Sequence, residues 1–386
     1  MNFKPLDRYL DTFYSEKNIP GVGISVYRHG RHLHTYCAGF QNVEEKIPFS
    51  PDTMVNIYSA SKISTCTTAM RLIEKGFFKL DDPVSLYLPE MADVTIRKEN
   101  GMIEKAENTM LIRHLFSMSA GLSYDTKSDA ITKLKAETDG KPTTRQMVKA
   151  LAASPLLFEP GTHFKYSMCH DVLAAVMEVT YGEAFSSILK KELFDLIGMN
   201  NTAFRLTEEQ RKNMAPEYHG FNGKTGTANA VIRKEGVDMG MGPVYESGGG
   251  GLISCVKDYA LLAAALANYG IAPNGTRILT PESIDQMRTN QMNPVSQKDF
   301  EEMGGWSKMG YGYGLGVRTL VDRERNNSLS ANGEFGWDGA LGCYLVADPD
   351  TGISIFYAQQ EGGSQWWNYH GTIRNIAYAC VIGAEE

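Results

Sequence analysis

The chain has 386 residues, of which 42% are hydrophobic and 22% charged, with a formal net charge of -7 at neutral pH. That length exceeds one small core and fits two domains, or one large domain with an insertion. The acidic balance argues against a nucleic-acid partner, and no run of 18 consecutive apolar residues suggests a membrane span.

At the start of the chain, Leu6, Tyr9, Leu10 and Phe13 fall at helical spacing with charges between them. This predicts an amphipathic helix rather than a signal sequence, because an apolar h-region is lacking. GVGISVYRHGRHLHTYCAG predicts a β-hairpin turning at His29-Gly30. VNIYSASKISTCTTAMRLIEKG opens a helix with Ile63, Cys66, Met70 and Ile73 on one face and Gly76 as its stop. From about Leu80 to Met241 the pattern is mostly helical, as in HDVLAAVMEVTYG. ESGGGGLIS then reads as a glycine-rich turn into the helix DYALLAAALANYG. GALGCYLVADPDTGISIFYAQQ predicts a second hairpin turning at Asp348 to Gly352, and WWNYHGTIRNIAYACVI a final helix.

Strands at both ends and helices between them predict an α/β domain assembled from residues 1–79 and 242–386, with residues 80–241 inserted as a mostly helical domain. A cleft between the two is the expected place for a site. None of the six cysteines (37, 66, 169, 255, 343 and 380) forms a CxxC pair, so reduced thiols in a cytoplasmic protein are expected. The eight histidines show no HExxH spacing, and neither metal nor cofactor is expected.

Three stretches fit Ser-x-x-Lys, beginning at Ser59, Ser187 and Ser254. Ser187 lies off the apolar face of AFSSILKKELF and reads as solvated. Ser254 follows a glycine run and precedes a helix, which suggests an N-cap. Ser59 sits where an apolar stretch enters a helix, and the dipole there favours developing negative charge. Lys62, at i+3, reaches back to the same side. If buried beside another donor, its pKa would fall and it could relay a proton. An N-cap serine with a surface lysine fits these residues equally well.

Two further stretches favour the catalytic reading. Tyr166 opens YSMCHDVLAAVME at a helix entrance, and beside Lys62 its phenolate would be stabilised as a general base. FGWDGALG, from Phe335 to Gly342, precedes a strand-like run, and its glycines let a ligand approach the backbone.

Taken together, YSASK, LIRHLFSMSAGLSY, FEPGTHFKYS, ESGGGGLISCVKDYALL, YGYGLGV and FGWDGALG, in this order from about Pro20 to Gln360, resemble the serine hydrolases related to class C β-lactamases. That group includes DD-peptidases, D-aminopeptidases, family VIII carboxylesterases and some acyltransferases. The resemblance implies an antiparallel sheet flanked by helices, with an inserted helical domain. It implies Ser59 as nucleophile, Lys62 as its proton-handling partner and Tyr166 as general base. The oxyanion hole would be the backbone N–H groups of Ser59 and Ala340. No catalytic histidine and no GxSxG motif is required.

Two positions depart from the lactamase pattern. Met168 stands where those enzymes carry the asparagine of Tyr-x-Asn, offering an apolar contact to substrate in place of an amide. Trp337-Asp338-Gly339 stands where they carry Lys-Thr-Gly. Trp337 is uncharged, and Asp338 would repel a substrate carboxylate if it faced the cleft or pair with a substrate amine; an outward carboxylate is equally compatible. Lys224-Thr225-Gly226 spells the lactamase motif but precedes the glycine turn, and Asn222-Gly223 marks it as a hairpin between YHGF and ANAVIRK. The glycine run at 248–251 reads as a packed turn near the cleft rather than a phosphate cradle. Trp366, Trp367, Tyr311 and Tyr313 are candidate acyl-pocket residues, with plain core packing as the alternative. The expectation is a carboxylesterase acting on a small-molecule acyl ester. A β-lactamase, DD-peptidase or D-aminopeptidase, a transacylase, and an idle binding protein on the same fold are the alternatives.

Overall fold

The computed structural model describes residues 1–98, 100–231 and 241–383. Its frame is an eight-stranded sheet in which every neighbouring pair is antiparallel. The strands run across it as Tyr311–Tyr313, Arg318–Leu320, Phe335–Asp338, Tyr344–Asp348, Ile353–Gln359, Gly21–Arg28, Arg31–Asn42 and Ile47–Pro48. The hairpin expected at His29-Gly30 forms there, both residues having positive φ (48° and 72°), as a two-residue turn matched to strand twist requires.

Both faces of the central strand Ile353–Gln359 are covered, so it is buried along its whole length and its sequence is mostly apolar rather than alternating. Val22, Ile24, Ile353 and Ile355 meet the terminal helices Lys4–Asp11 and His370–Ile382 through Leu6, Leu10, Ile373 and Val381. Phe356, Ala358, Leu345 and Ala347 point the other way, into the core shared with the helix Val256–Ala267.

The helix Ser61–Glu74 runs through the middle of the molecule, touching the helix Cys169–Tyr181 and the strand Phe335–Asp338. Residues 61–70 and 72 are all buried, so the single apolar face expected from the sequence becomes burial on every side. Its hydroxyls reach partners inside the protein: the Leu252 N–H donates to Ser61 Oγ (3.1 Å), and Thr65 Oγ1 donates to the Gly248 carbonyl (2.7 Å).

The Lys-Thr-Gly stretch belongs to a separate three-stranded sheet. It turns a hairpin between Glu217–Asn222 and Thr227–Val231, and the first of these strands pairs in parallel with Glu361–Gly362. Lys224 is exposed. Asn222 Oδ1 accepts the N–H groups of Lys224 (3.0 Å) and Thr225 (3.3 Å), which sets the turn. The expected continuation of the second arm through Ile232-Arg233 lies outside the described residues. Among the described residues, no single helix is long and apolar enough to cross a membrane, and all six cysteines are unpaired.

If the hairpin is held this way, Asn222→Ala should cost about 1 kcal/mol in urea unfolding, because two turn N–H groups lose their acceptor. Lys224→Ala should change stability by less than about 0.5 kcal/mol, as expected for an exposed side chain without a specific role.

Candidate active site

Ser59 sits in the short 3-10 turn Tyr58–Ala60 that leads directly into the helix Ser61–Glu74. Tyr58, just before it, has φ of 46°, a left-handed conformation that costs a bulky residue energy and persists only where its surroundings enforce it. The enforcement comes from Glu217, whose Oε1 accepts Tyr58 OH (2.9 Å) and Asn56 Nδ2 (2.7 Å). Gln360 grips the Asn56 backbone at both its N–H (3.3 Å) and its carbonyl (3.1 Å).

Lys62 is fully buried one turn on. Its Nζ donates to the Gly249 carbonyl (2.5 Å), Tyr124 OH (3.1 Å) and Ser59 Oγ (3.5 Å). Three acceptors match the three hydrogens of an ammonium. Burial acts to lower the Lys62 pKa, as expected from the sequence, but the phenols of Tyr124 and Tyr166 outweigh it and the pKa is raised. The net direction is therefore upward, opposite to the lowering expected if the amine were buried beside another donor. Tyr124 stays a neutral phenol, because burial pushes its pKa far above the usual range.

Gly249 makes this cage possible. A Cβ there would stand 2.8 Å from Asp171 Oδ2 and 3.2 Å from Lys62 Nζ. The glycine run is thus a close-packing device against Lys62, in keeping with the packed turn expected. Asp171 lies behind it and accepts hydrogen bonds from Tyr245 OH (2.5 Å) and Ser247 Oγ (2.7 Å).

Tyr166 lines the same pocket as Ser59, and Lys62 Nζ lies 4.6 Å from the centre of its ring. Trp337 stacks on it (5.4 Å between ring centres) and donates its indole N–H to Tyr166 OH at 3.0 Å. Trp337 therefore does more than line a substrate wall: it orients the phenol and supplies a donor suited to negative charge on that oxygen.

The strand carrying Trp337 ends against the serine turn. A Cβ on Gly339 would be 2.4 Å from the Ile57 carbonyl, so only glycine allows this approach. The turn that follows uses the N–H groups of Gly339 (2.7 Å to the Cys343 carbonyl) and Gly342 (2.9 Å to the Gly339 carbonyl). Among the described residues, no hydrogen bond uses the N–H of the exposed Ala340, whereas its carbonyl accepts Trp366 Nε1 at 3.3 Å. Ser59, Tyr166, Trp337, Gly339 and Ala340 border one cavity of about 470 Å³, whose further walls are Met303, Lys308, Trp366 and Trp367.

The family model described as Beta-lactamase matches residues 6–367. The chain belongs to the beta-lactamase family. It is 26% identical to Protein Rv1367c of Mycobacterium tuberculosis (strain ATCC 25618 / H37Rv) over 89% of this chain and 86% of that one. It is 24% identical to Esterase EstB of Burkholderia gladioli over 91% and 88%. Among solved structures it resembles EstCE1, described as a hydrolase with promiscuous acyltransferase activity, with a TM-score of 0.79, 26% identity and coverage of 97% and 98%.

Several sequence expectations for this beta-lactamase-family chain need correction. Met168 is only 1% exposed and packs in the core at the entrance of the helix Cys169–Tyr181, away from the cavity. Asp338 borders the cavity but is almost fully enclosed. It is buried, with Oδ2 at 2.9 Å from Lys308 Nζ and Oδ1 at 3.4 Å from Arg318 Nη1 and 3.5 Å from His370 Nδ1. Burial would raise its pKa, but Lys308 and Arg318 outweigh that and hold it well below the usual carboxylate range. It is therefore taken up internally and is not free to bind a substrate amine. Lys308 escaped the sequence reading because it belongs to no motif with informative spacing, and Tyr124, though it ends the stretch LIRHLFSMSAGLSY, was given no role there. Trp366 and Trp367 do line the cavity, whereas Tyr313 is core behind Trp337 and Tyr311 lines a different pocket.

The rival serines fall away. Ser187 is half-buried beside an exposed Lys190 that pairs with Asp195. Ser254 is buried in the strand Ile253–Ser254, sharing a hydrogen bond with Thr202 (2.8 Å), and Cys255 rather than Ser254 precedes the helix. Among the described residues, no cluster of three or more His, Cys, Asp or Glu is arranged for a metal.

Asp338→Asn should destabilise the protein by about 3–5 kcal/mol at pH 7, because it leaves Lys308 buried without its counter-charge and Arg318 with Glu334 alone. A carboxylate with a depressed folded-state pKa contributes fully above its unfolded pKa of about 4 and loses that contribution as pH falls through the lower folded value. The gap between wild type and variant in urea melts should therefore be constant from about pH 6 to 8 and shrink below about pH 4.

Proposed function

We propose that this serine hydrolase or acyltransferase of the β-lactamase fold acts as a carboxylesterase on small to medium acyl esters, through an acyl-enzyme on Ser59. The observation that carries this reading is the shared cavity. Ser59, Tyr166 and the unused Ala340 N–H border one largely apolar space of about 470 Å³, with the charged Lys62 caged behind the serine. The names of EstB and EstCE1 support the same chemistry.

In this reading Tyr166 takes the Ser59 hydroxyl proton as Oγ bonds to the ester carbon. The oxyanion accepts hydrogen bonds from the N–H groups of Ser59 and Ala340. As the intermediate collapses, the carbon–oxygen bond to the leaving alcohol breaks and Tyr166 returns its proton to that alcohol. Water then repeats the sequence and releases the acid. Lys62, as a fixed cation, stabilises the proton-poor phenol instead of acting as the base itself. An alcohol in place of water would give acyl transfer, the second activity in the description of EstCE1. Lys308 on the cavity wall restores a cation that the Trp-Asp-Gly motif lacks, which favours a lactam-active alternative to this extent. A cytoplasmic setting is part of the same proposal, supported by the six unpaired cysteines.

The test is a p-nitrophenyl ester series run in parallel with a chromogenic cephalosporin. Ser59→Ala should lower ester kcat/KM at least about a thousandfold, and Tyr166→Phe by about a hundredfold or more. A serine-directed phosphonate should label wild type at Ser59. Equal turnover by wild type and Ser59→Ala would remove the nucleophile, and cephalosporin turnover far above ester turnover would replace the esterase reading with a lactamase. Neither turnover nor labelling would leave a binding protein on the family fold.

A further inference from the structure

Beyond Lys308 and Asp338 lies a second cavity of about 410 Å³, which shares Ser307, Lys308, Asp338, Trp366 and Trp367 with the cavity at Ser59. Its character is different. Three cations with side chains at most 8% exposed, Lys308, Arg318 and Arg374, stand on its wall. Two carboxylates answer them: Asp338, and Glu334, which lies behind the wall at 3.5 Å from Arg318 and 3.8 Å from Arg374. His370 does not alter the balance, because burial pushes its pKa below the usual value and it stays neutral. Nearer the surface, Arg325 is balanced by Glu301 (2.8 Å) and faces the exposed Asp322.

The buried wall thus holds one positive charge more than it neutralises, where salt screens weakly. It also keeps donors in reserve. Among the described residues, Lys308 makes a single hydrogen bond, to Asp338. Arg374 uses Nη1 on Tyr311 OH (2.6 Å) and Nε on Asn375 (3.2 Å), and its Nη2 has no acceptor among the described residues. An excess of one buried charge with free planar donors fits a monoanion that has two oxygens.

We propose that this cavity is a carboxylate subsite, and that the substrate carries a carboxylate remote from the carbonyl attacked by Ser59. The inference rests on the acyl-enzyme reading of Ser59 and narrows its substrate class to esters with an acidic far end. The acidic group belongs either to the acyl chain or to the leaving alcohol, and passes between Lys308 and the Trp366-Trp367 pair to reach the second cavity.

The test compares charged esters with their neutral methyl-capped counterparts. One arm uses p-nitrophenyl hydrogen adipate and suberate, with the carboxylate on the acyl side. The other uses the butyryl ester of 6-hydroxyhexanoic acid, with the carboxylate on the leaving group. At least one arm should show kcat/KM about tenfold above its neutral counterpart, and, because the wall is buried, most of that preference should survive at high salt. The arm that shows it identifies the side.

Thr372 is exposed in the first turn of the helix His370–Ile382 and lines the second cavity, so Thr372→Asp adds a negative charge there at a position where the helix tolerates it. This variant should erase the preference and leave neutral-ester turnover within about twofold of wild type. Neutral esters preferred in both arms, or equal slowing of charged and neutral esters by Thr372→Asp, would overturn the subsite while leaving the esterase reading intact. Absence of any ester turnover together with no phosphonate label on Ser59 would overturn both.

Discussion

The whole site is arranged around one buried positive charge. An ammonium taken out of water is tolerated only where every hydrogen finds an acceptor, and Lys62 finds the Gly249 carbonyl, Tyr124 and Ser59. That requirement explains features that look unrelated in the chain. The glycine at 249 is needed because any side chain would crowd Lys62 and Asp171. Tyr124 is needed as a neutral oxygen. The surrounding helix is buried on all sides because it must carry Lys62 into the centre of the molecule. Ser59, at the end of the cage, is then fixed in both direction and charge environment.

A second buried ion cluster performs the matching task on the opposite wall. Asp338 gathers Lys308, Arg318 and His370 behind the end of the strand that bears Trp337. This anchors the Gly339-Ala340 turn against Ile57, and so sets the distance between the Ala340 N–H and the serine turn. It also fixes Trp337, whose indole N–H holds the phenol of Tyr166. The two clusters hold the two walls, and the apolar cavity lies between them. The strained backbone at Tyr58, tied down by Glu217, shows that position ahead of Ser59 is enforced rather than relaxed.

Much of this was legible in the sequence where local chemistry dictates geometry. The His29-Gly30 hairpin, the stop at Gly76 and the helix entrance at Ser59 follow from turn residues and periodicity, and the i+3 spacing brings Lys62 to the serine. The Asn222-Gly223 turn likewise separated the Lys-Thr-Gly letters from the site. What escaped depends on tertiary contact. Met168 follows Tyr166 by two residues, yet the chain turns into a helix between them and sends the methionine into the core. Asp338 could not be oriented because its partners, at 308, 318 and 370, lie in three separate elements. A lowered Lys62 pKa was expected if the amine were buried beside another donor; the groups that push it up instead are Tyr124 and Tyr166, distant in the chain. Lys308 carries no pattern and Tyr124 was given no role in its stretch; only folding brings the one to the cavity and the other to Lys62.

The central claim is that Lys62 carries its proton at neutral pH, and the protonation of its side chain tests that most directly. Nitrogen-15 NMR of lysine side chains, with the Lys62 signal assigned by its absence in Lys62→Met, can follow Nζ from about pH 6 to about pH 10. With its pKa raised by the surrounding phenols, Lys62 should retain an ammonium shift throughout that range. A Lys62 signal that titrates near neutral pH would contradict the account and return the role of base to the lysine.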